Sequence, residues 1–237
     1  MKLFPLETIV ETHNAEHINR LFVVGDLHGC YVEFMAELEK VKFNFKEDLV
    51  ISVGDLIDRG KESLRCIELV QEPWFKAIRG NHEQMCLEAS FAVEMKDFHC
   101  KHGGKWLYDL PHNKYLEVLS ICTNLPIILE VKFKDRIYGF VHADINSNNW
   151  EDFKRSLKND NYFSKITDSS LQTALWGRGR IKSDGKNKKY KNIKGIDEIY
   201  LGHTVVKEKI QIDNCYYIDT GVVFGSYLTL LELGCNR

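Results

Sequence analysis

Residues 21–29 read LFVVGDLHG and residues 49–60 read LVISVGDLIDRG. Each opens with a short run of apolar residues rich in Val and Ile, the pattern of a strand buried on both faces, and each run breaks off at a Gly-Asp pair. Gly25 is followed by Asp26, Leu27 and His28, and Gly54 by Asp55, Leu56, Ile57, Asp58 and Arg59. Between the two runs, Tyr31, Phe34, Met35, Leu38 and Val41 recur at spacings of three and four, which is the apolar stripe of a helix. Strand, helix, strand in this order calls for a parallel crossover. The two acidic turns then sit at the carboxyl ends of neighbouring strands.

Outward from this unit, further strands are expected at 127–133, 137–141, 199–201, 216–218 and 227–233, with a weaker one at 77–78. Helices are expected over 62–71 and 83–95. The first half alternates strand and helix, and the last third reads as mostly strand suited to antiparallel pairing. The expectation is an α/β (α+β) chain with central mixed sheets flanked by helices, forming a single catalytic domain over residues 1–237.

With 44% apolar and 28% charged residues the chain carries enough apolar mass for a sizeable core, and disorder is not expected. A formal net charge of -2 gives no long-range pull toward nucleic acid or an anionic membrane. No window reaches the roughly 18 uninterrupted apolar residues of a spanning helix, and Glu7 and Glu11 interrupt the only apolar stretch near the N-terminus. A cytoplasmic protein with reduced cysteines follows, since the seven Cys residues form no CxxC pair. Residues 182–194 carry six lysines against the single acid Asp184 and read as a solvated loop, or more sharply as a feature that steers an acidic substrate. Nothing in the sequence indicates an oligomeric state.

The chemistry lies at the strand ends. The run before Arg79 and Gly80 leads to Asn81, His82 and Glu83; the run ending at Val141 leads to His142, Ala143 and Asp144; and YLG leads to His203. Ligands bind in α/β sheets where the loops at the carboxyl ends of strands converge. A mixture of carboxylate, amide oxygen and imidazole suits first-row divalent ions, and Asp26, His28, Asp55, Asn81, His142 and His203 are too many for one ion. Two adjacent sites bridged by Asp55 would use them all. Such a pair clamps the attacking and leaving oxygens of an in-line displacement and lowers the pKa of bound water toward about 7, which makes a metal-bound hydroxide the expected nucleophile. Arg59 and Arg79, in the same loops, would clamp a phosphate. His82, held by Asp58, would protonate the leaving oxygen. Glu83 and Asp144 are read either as partners that orient the ligands or, at least as readily, as structural residues, and His13, His17, His99, His102 and His112 are read as surface or locally hydrogen-bonded residues.

Together GDLHG at 25–29, GDLIDRG at 54–60 and RGNHE at 79–83 closely resemble the phosphoprotein phosphatase family of calcineurin-like metallophosphoesterases, and within it the small bacterial and bacteriophage lambda-type members. VHAD, WGRGRI, LGHT and YIDTGVVF extend the resemblance from about Leu21 to Leu233. It implies that Asp26 and His28 hold one metal, that Asp55 bridges, that Asn81, His142 and His203 hold the second, and that His82 is the acid paired with Asp58. It also implies phosphate contacts from Arg59, Arg79 and a third arginine, Arg178, although Gly177 stands where lambda-type members usually have Asn. Two divalent ions are expected, with manganese favoured and iron or zinc compatible. The implied activity is hydrolysis of phosphoserine and phosphothreonine in proteins, with phosphotyrosine accepted by some members. Symmetrical dinucleoside polyphosphate hydrolases share the first three motifs and are the alternative. A metal-free binding scaffold is the non-enzymatic alternative, against which stands the complete ligand set.

Overall fold

A computed structural model describes residues 9–160, 169–183 and 189–235. Their strands form two sheets. In the four-stranded one, β2 (Leu21–Val24) runs parallel to β3 (Leu49–Ser52), β3 parallel to β4 (Phe75–Ala77), and β10 (Leu230–Leu233) lies antiparallel along the outer edge of β2. The six-stranded sheet has the order β1 (Val10–Asn14), β5 (Ile128–Phe133), β6 (Arg136–Val141), β7 (Glu198–Leu201), β9 (Cys215–Tyr217) and β8 (Ile210–Ile212).

The sheets lie face to face, and alternation along each strand explains the layers. Leu21, Val23, Leu49 and Ile51 point inward and pack with Leu129, Val131, Tyr138 and Phe140 of the other sheet. Their neighbours Phe22, Val24 and Val50 point outward against Phe34 and Leu38 of α1 (Tyr31–Lys40), Ile67 of α2 (Ser63–Glu68) and Val118 of α6 (His112–Asn124). On the opposite outer face, Ile128, Val141, Ile199 and Leu201 pack under Trp150, Phe153 and Leu157 of α7 (Trp150–Asn159) and Leu171 and Leu175 of α8 (Ser170–Trp176). A four-layer helix–sheet–sheet–helix sandwich results, in which central strands are covered on both sides. That is why their sequences read as continuous apolar runs.

Three expectations need correction. The helix expected over 83–95 is two, α3 (Asn81–Ala89) and α4 (Val93–His99), because Ser90 Oγ donates to the Leu87 carbonyl at 2.7 Å and Ala92 is extended. The last third is not chiefly antiparallel: β6 pairs with β7 in parallel because the intervening chain crosses over through α7, α8 and α9 (Gly179–Ser183), and β7 pairs with β9 in parallel because β8, which comes between them in sequence, lies outside β9. Residues 182–194 are only partly a solvated loop. Residues 184–188 lie outside the described residues, Ile193 is buried, and the Lys194 carbonyl accepts from Trp150 N–H at 2.9 Å. Among the described residues no helix is long and apolar enough to cross a membrane, and none of the seven cysteines is disulfide-bonded.

Candidate metal centre

The loops that follow β2, β3, β4, β6 and β7 meet at one edge of the sandwich, and their main chain is under strain there. Nine described residues other than glycine have positive φ, and five of them are His28, Asp55, Asp58, Arg59 and His203. Left-handed backbone costs such residues about 1–2 kcal/mol each, so its concentration in these loops marks a place where side-chain direction outweighs backbone comfort.

Asp55 stands at the middle. Its Oδ2 lies 3.5 Å from His28 Nε2 and 4.0 Å from His82 Nε2, and its Oδ1 lies 3.4 Å from His142 Nε2. Two groups of buried ligand atoms, His28–Asp55–His82 and Asp55–His142–His203, therefore share this carboxylate. Asn81 Oδ1 is 2.9 Å from His142 Nε2 and 2.8 Å from His203 Nδ1, which places it in the second group. Asp26 is brought to the same edge, where its oxygens accept from the His203 amide at 3.0 and 3.2 Å. All six expected ligands are thus gathered and buried.

Hydrogen bonds fix which nitrogen each imidazole offers. His28 Nδ1 donates to the Ile57 carbonyl and His142 Nδ1 to the Val53 carbonyl, each at 2.8 Å, so both turn an Nε2 lone pair toward the carboxylates. For His142 that lone pair faces two oxygens, Asn81 Oδ1 and Asp55 Oδ1, an arrangement that a proton on Nε2 or a metal cation between them relieves. Burial opposes a charge on His142, yet the Asp55 charge outweighs it and raises the pKa. Burial pushes His28 and His203 down to about 3, which keeps them neutral and able to coordinate. Burial, with Asp219 and Asp55 close by, lifts the Asp26 carboxyl well above its usual range. Asp55 goes the other way: burial alone would raise it, but His142 and His82 hold it well below. Neutral imidazoles, crowded carboxylates and a buried His203 Nε2 with no partner fit divalent cations of the first transition row.

Glu83 braces the arrangement. Its carboxylate accepts from the amides of Asp55, Leu56 and Gly80 at 2.8–3.0 Å, tying the loop after β3 to the start of α3. Burial and Asp55 raise its pKa to about 7. Gly80 has to be glycine, since a β-carbon there would overlap Asp55. Asp144 is also structural: it accepts from the Ile145 and Arg180 amides. Gly177 leaves no room for a side chain, as a β-carbon would stand 2.6 Å from both Asp144 Cβ and the Thr173 carbonyl oxygen.

The three arginines separate. Arg59 is exposed, contacts His28 Nε2 and lies over the Phe224 ring at 5.5 Å. Arg178 is exposed beside the His203 carbonyl at 3.5 Å. Arg79 does not join them. Its guanidinium is buried between α3 and α6, donating to Gln84 Oε1 at 3.1 Å and to the Thr123 carbonyl at 2.6 Å, and burial lowers its pKa to about 10. Its expected place in the phosphate clamp is corrected to a packing position.

His82 Nδ1 donates to Asp58 Oδ2 at 2.7 Å, while its Nε2 is buried without a partner. The same Asp58 carboxylate accepts from His99 Nε2 at 2.9 Å and Trp106 Nε1 at 2.8 Å. Burial would raise Asp58, but the bonds from His82 and His99 hold it down. His99 was expected at the surface or in a local bond; it is fully buried and bonded across the fold. Asp219 was also passed over, although it follows Ile218 at a strand end as Asp26 follows Val24 and Gly25. It is buried beside Asp26 and raised by burial.

A family profile described as "Calcineurin-like phosphoesterase" matches residues 20–207, a span that contains every ligand candidate. The chain belongs to that family. Membership of that family implies a dinuclear divalent metal centre, for which the two buried groups around Asp55 are the candidate ligands. It is 37% identical over 230 residues to the serine/threonine-protein phosphatase 1 of Salmonella typhimurium LT2, covering 96% of this chain and 98% of that one. It is 34% identical over 211 residues to the serine/threonine-protein phosphatase 2 of Escherichia coli K12, covering 88% and 90%. Among solved structures, a putative diadenosine tetraphosphatase superposes with a TM-score of 0.64 at 20% identity, covering 96% of this chain and 94% of the other, which is a likeness of fold.

Proposed function

We propose that this phosphoesterase hydrolyses phosphoserine and phosphothreonine in proteins. What carries the reading is the pair of buried ligand groups sharing Asp55, with the His82 Nε2 of the first group free of any hydrogen bond and exposed arginines beside both. Protein substrates are favoured by the two phosphatases matched along nearly their whole length. Asp26, His28 and Asp55 would hold one divalent ion, and Asp55, Asn81, His142 and His203 the other. Manganese is the first candidate, with iron or zinc compatible. When bound, the ions supply positive charge that makes water more acidic and offsets charge on the phosphate.

The side chains divide the remaining work. Arg59 and Arg178 orient the phosphate through charge-assisted hydrogen bonds to its non-bridging oxygens. His82 gives the proton on Nε2 to the departing serine or threonine oxygen. Asp58 accepts the bond from Nδ1–H, so it fixes the orientation of the ring. The whole chain acts as one catalytic unit in the cytosol, on phosphoproteins rather than on nucleic acid or membranes.

The test strips the protein of metal, restores manganese, zinc, iron or magnesium, and measures phosphate release from phosphoserine, phosphothreonine and phosphotyrosine peptides and from diadenosine tetraphosphate. Manganese-dependent release from phosphoserine and phosphothreonine peptides is expected. Efficient cleavage of the dinucleotide alone would overturn the choice of substrate, and no hydrolysis with any ion would overturn the enzyme.

A further inference from the structure

Asp58 is bonded more heavily than a partner for one histidine requires. Its main-chain N–H donates to Ser63 Oγ at 2.9 Å, and its carboxylate accepts from three side chains contributed by three separate elements. His82 arrives from the first turn of α3, His99 from the last turn of α4, and Trp106 from α5 (Lys105–Tyr108). His99 and Trp106 stand 41 and 48 residues from Asp58 in sequence.

The protons follow from the partners. Trp106 Nε1 is a donor only. His99 Nδ1 lies 2.9 Å from Tyr108 Oη. With the Tyr108 hydroxyl donating to Nδ1, the His99 proton sits on Nε2 and points at Asp58 Oδ2. All three side chains then donate to one carboxylate, which has to be the anion to receive them.

The torsion that turns a carboxylate about its last bond is broad and soft. A single bond from His82 would leave Asp58 free to swing, and the His82 ring with it. Donors from His99 to one oxygen and from Trp106 to the other pin the carboxylate plane. We propose that His99 is a positioning residue for His82: acting through Asp58, with Trp106 as its counterpart, it holds the imidazole so that Nε2 faces the leaving oxygen.

The surrounding chain is shaped for this contact. A π-helical turn, Cys100–Gly104, joins α4 to α5, and Gly103 within it is left-handed at φ 102°. Gly104 packs so closely on His99 that a β-carbon there would overlap the imidazole. A buried histidine with two partners is ordinarily a satisfied core residue. Here one partner is the carboxylate that orients the proposed proton donor, and this gives the residue an effect that packing alone would not have.

The inference rests on His82 as proton donor, so the experiment includes that residue as its reference. In manganese-reconstituted protein, kcat is measured along a series from 2,4-dinitrophenyl phosphate to phenyl phosphate and a phosphoserine peptide. The variants are His82→Asn, His99→Leu, His99→Gln, Trp106→Phe and the double variant His82→Asn with His99→Leu, each checked for metal content. A good leaving group does not need the proton; a poor one does. His99→Leu is expected to lower kcat about 10- to 100-fold on phenyl phosphate and the peptide and less than about threefold on the dinitrophenyl ester. His99→Gln, whose amide can donate to Asp58 and accept from Tyr108, should recover most of the loss. The double variant should be no slower than His82→Asn, because two residues acting through one group do not add. Where His99→Leu folds poorly, Trp106→Phe keeps an aromatic ring, loses the Nε1 donor with part of the indole and should show the same leaving-group pattern. Equal losses on all substrates in His99→Leu and Trp106→Phe, or losses that multiply in the double variant, overturn the positioning role alone. A flat series for His82→Asn itself overturns the proton donor, and the positioning role falls with it.

Discussion

The candidate centre has a floor and a wall, and they are built on different rules. The floor consists of strand ends: Asp26, Asp55, Asn81, His142 and His203 each follow a strand within a few residues, on backbone that is partly left-handed. The wall runs from His99 to Tyr108, where two short helices joined by a π-helical turn reach Asp58 with side chains alone. A floor residue owes its place to the sheet, and its proposed role is direct contact with ions or phosphate. A wall residue owes both to a chain of hydrogen bonds. Loss of a floor residue should therefore remove chemistry, and loss of a wall residue should blur it.

The largest effect belongs to the shared carboxylate. Asp55→Asn keeps the shape of the side chain and removes the charge both ligand groups use, so activity should fall by at least about 10³-fold. Bound metal, measured by elemental analysis, should drop below two ions per chain. An Asp55→Asn protein that keeps both ions and most of its turnover would end the distinction between floor and wall.

The next effect separates two arginines that one motif pattern made equivalent. Arg59→Ala removes an exposed guanidinium beside His28 and should cost about 10²-fold in kcat/KM at little cost in stability. Arg79→Ala removes a buried one that bonds Gln84 and Thr123. It should lower unfolding free energy by about 1–3 kcal/mol in urea melts, with a smaller change in turnover. Reversal of the two outcomes would return Arg79 to the phosphate clamp.

This pair also shows where reading the sequence reached its limit. The order of strand, glycine and polar residue picked out six ligand candidates that the fold brings to one edge, because such turns are local and a buried strand has a plain signature. The same rule carried to Ile218 would have found Asp219. It had no means of aiming Arg79: the guanidinium is as close in sequence to Asn81 as a ligand would be, and only the position of α6 shows that it turns away. His99 was harder still, since a histidine ending a short, mostly polar helix has no local mark of burial, and its partner lies 41 residues back. The α3–α4 break was missed for a related reason, as one serine hydroxyl bonding the Leu87 carbonyl outweighs helix-forming neighbours. Sheet pairing in the last third depended on α7 and α8, whose buried faces are brief.

Removal of metal should act on the floor more than the wall. Asp26 is raised by burial and by the charges of Asp219 and Asp55, and Asp219 by burial and the charge of Asp55, which is a cost that bound cations relieve. At a metal concentration near 100 times the dissociation constant the stabilisation is about 2.7 kcal/mol, or roughly 5–10 °C in the melting temperature of a chain of this size. Hydrogen exchange should quicken in the loops after β2, β3 and β7 and change little in α4 and α5. Loss of protection in the wall first would mean that the wall, too, depends on the ions.

The smallest effect sits at the far end of the wall. Tyr108→Phe deletes only the hydroxyl that bonds His99 Nδ1, a neutral hydrogen bond contributing about 0.5–1.5 kcal/mol. Without it the His99 proton can shift from Nε2 to Nδ1, and Asp58 loses one of its three donors part of the time. Turnover should fall by about two- to tenfold on phenyl phosphate, as that energy implies, and stay unchanged on the dinitrophenyl ester. His99→Gln combined with Tyr108→Phe should behave as His99→Gln alone, because an amide has no tautomer for the hydroxyl to select. A Tyr108 effect that survives in the glutamine background would show that the hydroxyl supports the fold of the wall rather than the proton placement that links it to His82.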